Sequence, residues 1–343
     1  MNLRCFIALA FLPAVISAFA QENADSWSYK PVFNGEVLAY YRYSAATGDS
    51  RFQVPNARLS AGGYVFPFLD YFVQVDFCEN GKIKLLDTYA RVRPLKNLYI
   101  YAGQMRVPFS VESSRQPYMY HFADVGLTAQ FGNLRSVGVK VGYTIPGTAL
   151  YAEGGLFNAT DKSDHTQWNT CLTYGIKANY TLKFGLKPEI AFMSSVPDLS
   201  YFGVRVNQYN ASLSWKYKGL FVEGEYVYRT YAHEYHKASH AYSVFADYAF
   251  VVRSRMIDAF SIQARYDGIT DASDGSVYMG GNSLLITNMP ARQRITVGVK
   301  FLRTLGPLNA SFKINYERYT YSDAMRETEP DDNQLIAGIA LHF

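Results

Sequence analysis

The residues best equipped for chemistry in this chain are cations set at alternate positions of extended runs. Arg58, Arg91, Arg93, Arg106, Arg115, Arg135 and Lys140 stand out. A guanidinium is planar, always charged, and matches two oxygens of a carboxylate or phosphate at once. Side chains at every second position of a strand share one face, and neighbouring strands lie about 5 Å apart. Cations on adjacent strands would therefore line one wall, a chemistry of anion recognition without bond-making. The histidines are His121, His165, His233, His236, His240 and His342, and none has a companion serine in a recognisable motif. No nucleophile and base are paired as a hydrolase requires, so neither enzyme activity nor a cofactor is expected.

A repeated unit must position these cations. Runs of roughly ten residues alternate apolar and polar about sixteen times, the pattern of a transmembrane β-barrel. In one run Tyr209, Ala211, Leu213, Trp215 and Tyr217 oppose Gln208, Asn210, Ser212, Ser214 and Lys216. In the last, Leu335, Ala337, Ile339, Leu341 and Phe343 oppose Gln334, Gly338 and His342. A soluble sandwich also alternates, but seldom with Lys, Arg and Glu on one face of nearly every strand and aromatics on the other. The polar parity gives a lumen face with Arg42, Arg58, Arg91, Arg93, Arg106, Lys140, Lys177, Lys216, Arg229, Arg265, Arg294, Lys300 and Lys313. The same face carries Asp70, Asp76, Asp87, Glu153, Glu189, Glu223, Glu225, Asp247, Asp267 and Glu317. The opposite signs leave two readings open: an anion path of Arg58, Arg91, Arg106, Arg115 and Arg135, or the same arginines neutralised by Asp70, Asp76, Asp87 and Glu112.

Composition agrees with a wall that is wet on one side and oily on the other. Mean hydropathy is only −0.11, yet aromatic residues make up 16% of the chain, with 29 Tyr and 23 Phe. Tyrosine suits the two interfacial girdles of a membrane barrel. The net charge of +4 comes without a basic block, so nucleic acid is not an expected partner. Connections alternate. Short ones fall around Pro67, Pro94-Leu95-Lys96, Pro146-Gly147, Lys218-Gly219 and Gly306-Pro307; long ones span 107–133, 158–170, 194–204, 230–239, 268–291 and 320–332. Short periplasmic turns and long outer loops are the rule in such barrels. The 107–133 connection after the fifth strand carries Phe109, Tyr118, Met119, Tyr120 and Phe122. Its length and apolar content predict that it folds into the lumen and narrows it.

The domain reading is an export signal, 1–20, followed by one barrel domain, 21–343, whose first strand spans Phe33 to Tyr43. Arg4, the apolar stretch Cys5–Ala18 and the small residues Ala18 and Ala20 make the signal. Export implies a multi-pass barrel of the outer membrane, in contact with its lipid and lipopolysaccharide. The C-terminal Phe343 resembles the signal that the barrel-assembly machinery reads. Cys78 and Cys171 follow an oxidising route, so one disulfide or two unrelated thiols are both open. His233, Glu234, His236 and His240 sit in one outer loop and Asp271–Gly275 is a fragment of a calcium loop, yet a metal is expected at neither. Glu327, Glu329, Asp331 and Asp332 make an acidic outer loop.

The segment 85–112, LLDTYARVRPLKNLYIYAGQMRVPFSVE, resembles the phosphate-selective porin O and P family. The match falls on Gly103, Gln104, Arg106, Pro108, Phe109, Ser110 and Glu112. Arg135-Ser136-Val137-Gly138-Val139 is similar to a second family element, with Ser136 where Asp is usual, and Gly155-Leu156-Phe157-Asn158 to a third. The resemblance implies a sixteen-stranded barrel, usually a homotrimer, with loop three in the lumen and passive uptake of anions such as phosphate. A general non-selective porin, or a barrel whose outer loops bind a surface ligand, are the alternatives.

Overall fold

The computed structural model describes residues 29–79, 82–132, 134–159, 168, 171–196, 204–234, 236–252, 254–273, 277–280, 283–286, 289–321 and 333–343. The expected export signal, His165, Asp274 and Gly275, and the acidic stretch 327–332 lie outside these residues.

Strands β1 (Val32–Ser44), β2 (Ser50–Phe66), β3 (Leu69–Glu79), β4 (Lys82–Leu95) and β5 (Leu98–Arg106) precede the long 107–134 connection. After it come β6 (Arg135–Thr144), β7 (Leu150–Asn158), β8 (Leu172–Tyr180), β9 (Leu186–Ser195) and β10 (Val206–Tyr217). Next are β11 (Leu220–Tyr231), β12 (Ser239–Val251) and β13 (Ala259–Ile269). A separate two-stranded sheet, β14 (Val277–Gly280) with β15 (Ser283–Ile286), lies in the connection that the sequence presents as a plain loop. The chain ends with β16 (Arg292–Leu305), β17 (Leu308–Tyr321) and β18 (Gln334–His342). All strands but β14 and β15 form one closed antiparallel barrel of sixteen, in which β1 pairs with β18.

The alternation appears as burial. On β10, Gln208, Asn210 and Ser212 are buried while Tyr209 and Leu213 are exposed. On β17, Lys313, Asn315 and Glu317 are buried while Phe312, Ile314 and Tyr316 are exposed. A closed barrel inverts the soluble rule: apolar side chains face outward to lipid and charged ones inward. The exposed aliphatic and aromatic side chains therefore form the membrane-facing surface of a multi-pass transmembrane barrel.

Closure is completed at the seam. Gly35 and Phe343 exchange both backbone hydrogen bonds, at 2.9 and 3.0 Å, and the Phe343 ring lies over Gly35. Inside the β4–β5 hairpin, Gly103 has φ +137 and its backbone packs closely on β4; a Cβ there would lie 2.2 Å from the Thr88 carbonyl oxygen. Only glycine tolerates both conditions. Its neighbour Gln104 uses the resulting kink, donating to the Leu85 and Leu86 carbonyls at 2.8 and 2.7 Å. The Gly-Gln pair therefore has a structural role: it fixes the strand end from which the long connection departs.

Gly103→Ala is expected to separate β4 from β5 and reduce the yield of folded barrel on refolding into detergent micelles, read as loss of the heat-modifiable gel band. Gly224→Ala, on β11 where an added Cβ meets nothing nearer than the Ser243 carbonyl oxygen at 3.9 Å, is the control; an equal yield for both variants would count against this assignment.

Candidate functional site

The 107–134 connection makes hydrogen bonds with β1, β2, β11, β12, β13, β16 and β17. Those strands lie on one continuous arc of the closed barrel, and it is their buried, lumen-side residues, such as Arg42, Asp267 and Asn315, that meet the segment. Its local structure is two single helical turns, Val111–Ser114 and Ala129–Gly132, and a 3-10 turn, Pro117–Met119. Ser110 caps the first by accepting from the Ser113 N–H at 3.1 Å, the usual duty of a serine N-cap.

Backbone groups of this segment have no strand partner, so the wall supplies them. Glu225 on β11 accepts from the Val111 N–H at 2.8 Å and the Thr128 hydroxyl at 2.6 Å. Asp267 on β13 accepts from the Leu127 N–H at 2.9 Å, and Asn315 on β17 from the Ala123 N–H at 2.7 Å. In return Arg265 donates to the Asp124 carbonyl at 2.8 Å and Arg294 to the Val125 carbonyl at 2.6 Å. Lys313 donates to the Tyr120 and Phe122 carbonyls at 2.6 and 3.2 Å. Arg42 on β1 holds the Asp124 carboxylate through a forked pair of bonds, one of them 2.7 Å.

An apolar layer seats the same segment. Phe109, Phe122, Leu127 and Phe131 are all nearly inaccessible. Phe109, Leu127 and Phe131 pack with Phe157, Met193, Val227, Ala241 and Ile269 of the wall. Gly175 on β8 gives room for the connection's root: a Cβ there would lie 2.7 Å from Val107 and 2.8 Å from the Pro108 oxygen. Met119 stays exposed at its tip.

His121 joins both layers. Its Nδ1 lies 2.6 Å from the Asp247 carboxylate, and its ring stacks on Phe221 at 4.8 Å and lies tilted against Phe245 at 4.7 Å. Lys300 and Gln263 share that carboxylate at 3.0 and 2.7 Å. Burial pushes the imidazole below its ordinary value of 6.5, against the opposing pull of Asp247. The neutral ring, donating from Nδ1, is therefore the seated form.

The opposite wall, β2 to β7, carries the cations singled out in the sequence. Nearly all have a carboxylate. Arg58 meets Asp76 at 2.8 Å and Glu36 at 3.3 Å. Arg135 meets Asp87 at 3.0 Å, and Lys140 meets Glu153 at 2.9 Å. Asp70 serves both Arg91, at 2.9 Å, and Arg93, at 2.8 Å, so that group keeps one surplus positive charge. Arg115 does not line this wall; it is held by Glu112 and by Glu223 of β11. Arg106 differs from them all. It stands directly opposite Arg135 in the β5–β6 register and close to Arg58, Asp87 and Tyr120. Among the described residues it makes no hydrogen bond or ion pair. Two guanidinium groups on facing positions, one of them without a carboxylate, concentrate positive charge at this point of the wall.

The remaining sequence candidates do not converge. Cys78 and Cys171 are free thiols. His240 bonds Tyr226 and stacks on Tyr228, while His236 packs edge-on against Tyr231; among the described residues no cluster has metal-binding geometry. Sequence reading missed Asp124 and the apolar lumen positions Phe157, Met193, Val227 and Ile336. Their signal was available: an apolar residue at lumen parity marks wall that something covers.

A scan of protein-family models finds no match for this chain, nor does a search of the curated proteins. Solved structures do resemble it in fold. OmpT of Vibrio cholerae in its trimer form has a TM-score of 0.59 at 12% identity, covering 92% of this chain and 98% of that one. An anion-selective porin from Comamonas acidovorans has a TM-score of 0.60 at 12% identity, covering 91% and 98%. The outer membrane channel DcaP of Acinetobacter baumannii has a TM-score of 0.61 at 11% identity, covering 92% and 97%.

Two outcomes follow from the seating. Asp267→Asn removes a buried countercharge shared by Arg265 and Arg294; loss of roughly 3–5 kcal/mol is expected, measured as a lower urea midpoint for unfolding in micelles. Acidification is expected to loosen the segment. Because the folded His121 titrates below the unfolded value of 6.5, its contribution is full above that pH and is lost as pH falls through the folded value. Protease cleavage of the 107–134 connection is expected to quicken between pH 7.5 and pH 5, and His121→Gln to abolish that pH dependence.

Proposed function

We propose that this chain is an outer-membrane porin, through which small solutes diffuse passively down their gradients. The observation that carries it is the asymmetric filling of a closed barrel. The 107–134 segment is hydrogen-bonded chiefly to β1, β11–β13, β16 and β17 and packs its apolar root on β7–β9, while β2–β6 keep a charged lining. On this reading the segment sets the width of the passage, residues 1–20 are the export signal, and the barrel assembles as a homotrimer. The trimer form of the OmpT structure supports that last point.

The lining favours small anions. Arg106 without a carboxylate, and one carboxylate between Arg91 and Arg93, leave positive charge on the wall that borders the passage. A low-dielectric rim strengthens its effect on a permeating ion. Phosphate is the oxyanion that the motif around Gly103 to Glu112 suggests. A weakly selective general porin is favoured by a different observation: Arg58, Arg135 and Lys140 are each neutralised, and salt screens what remains over about 8 Å.

Reversal potential across a planar bilayer under a KCl gradient separates the two. The anion-preferring channel is expected to lose about fivefold in chloride-over-potassium preference on Arg106→Ala. That is the ratio supported by roughly 1 kcal/mol of charge attraction at 4 Å in water. Arg135→Ala is expected to change it at least as much, because it removes the same charge and releases the Asp87 carboxylate beside Arg106. A wild-type channel with no ion preference, unchanged by Arg106→Ala, would leave the general porin as the reading.

A further inference from the structure

A second feature lies beside the passage, between the 107–134 segment and the lower part of the β1–β3 wall. It is a cavity of about 270 Å³ lined by residues that include Asn34, Glu36, Arg58, Gln74, Gln116 and Tyr118. At about 30 Å³ per water, it has room for a solute the size of a sugar ring. Its charges are balanced against ions of either sign. Arg58 lies between Glu36 and Asp76, so an anion meets two carboxylates and a cation meets a guanidinium.

What the cavity lacks is hydrogen-bond donors for its own acceptors. Gln74 is 6% exposed and Glu36 4%; Gln74 Oε1 has no hydrogen-bond partner, and Glu36 Oε1 has only its ion pair with Arg58 at 3.3 Å. Glu36 Oε2 is engaged by the Tyr118 N–H at 3.3 Å, and Gln116 Oε1 by Arg58 at 3.3 Å. A buried acceptor left unmet costs on the order of 1–3 kcal/mol. Water alone would relieve that cost and needs no aromatic wall. Here Tyr118 stacks on His342 with ring centroids 3.7 Å apart, and Phe72 adds a third ring to the lining. Planar amide and carboxylate acceptors beside aromatic faces suit a ligand with many hydroxyl donors and an apolar C–H face.

We propose that this cavity is a binding subsite for a neutral polyhydroxylated solute, a hexose or a short oligosaccharide. It rests on the porin reading for its access to solute, and not for its chemistry. Hydroxyls of the ligand donate to Gln74 Oε1 and Glu36 Oε1, Asn34 and Gln116 supply amide groups, and the sugar ring lies against the Tyr118–His342 pair.

The test is equilibrium dialysis of the detergent-solubilised full chain with radiolabelled glucose and maltose, paired with single-channel recording in KCl. Saturable binding of either sugar is expected, weakened at least tenfold in Gln74→Leu and in Asn34→Leu, with a polyethylene glycol of similar size not competing. Heat-modifiable gel mobility reports that both variants fold. No saturable sugar binding overturns the proposal, as does binding that is unchanged in both folded variants. Displacement of the sugar by calcium chloride, but not by potassium chloride, would make the cavity a cation site and overturn it too. Sugar binding by a chain that conducts no KCl would uphold the subsite while refuting the porin reading, so the two fail separately.

Discussion

In a hydrocarbon layer an unpaired backbone N–H or C=O costs several kcal/mol, with no water to relieve it. A sheet in that medium can have no edge. The pairing of β1 with β18, completed by the reciprocal bonds of Gly35 and Phe343, satisfies that demand, and much else is a consequence. A closed ladder fixes which side chains point out. The outward set must then be mainly apolar to meet lipid, and most charges the chain carries along its strands are driven inward. The crowded charged lumen is thus a by-product of closure before it is a selectivity device.

Crowding like charges in a narrow tube would be unstable, so most lumen cations meet a carboxylate. The pairings divide into two kinds. On β11–β17 the ion pairs also take up the orphan backbone groups of the 107–134 segment: Asp267 holds Arg265 and Arg294 while accepting from Leu127. These groups act as fasteners. Removing one partner there would strand a buried charge, which costs far more than the pair itself contributes. On β2–β7 the pairs run mainly from strand to strand; Arg58–Asp76 and Arg135–Asp87 are buried, and the more accessible Arg91 and Arg93 on Asp70 are the more easily screened.

Much of this was legible in the sequence. Alternation gave the barrel, the strand parity and the face on which Arg265, Asp267, Arg294, Lys313 and Glu317 lie, because the period of two is imposed by the strand itself. The apolar content of the long connection gave its need for cover. The partners of each charge were not legible. Arg58 with Asp76 and Arg135 with Asp87 depend on register between strands, and a shift of one residue would reverse every facing. The irregularities between Leu38 and Tyr40, at Gln74–Val75 and between Val92 and Leu95 change that register, and nothing in local composition marks their effect. Arg115 was placed with the anion path on sequence adjacency, whereas the fold turns it toward Glu223 of β11. The separate β14–β15 hairpin was equally hidden, since it lies in a connection long enough to read as loop.

Selectivity therefore cannot be counted from the lumen's charges; it has to be located among them. A permeating ion responds to charge that is both reachable and uncompensated within a screening length of about 8 Å. Arg294 is fully charged but irrelevant to that ion, because Asp267 and Glu317 surround it and the 107–134 segment covers it. Arg106 carries the same formal charge, with Arg135 beside it and no carboxylate of its own. The anchoring wall thereby makes the passage wall possible. By consuming its acids on the segment's backbone, the far side of the barrel holds the segment in place, and the near side is left with a small positive excess.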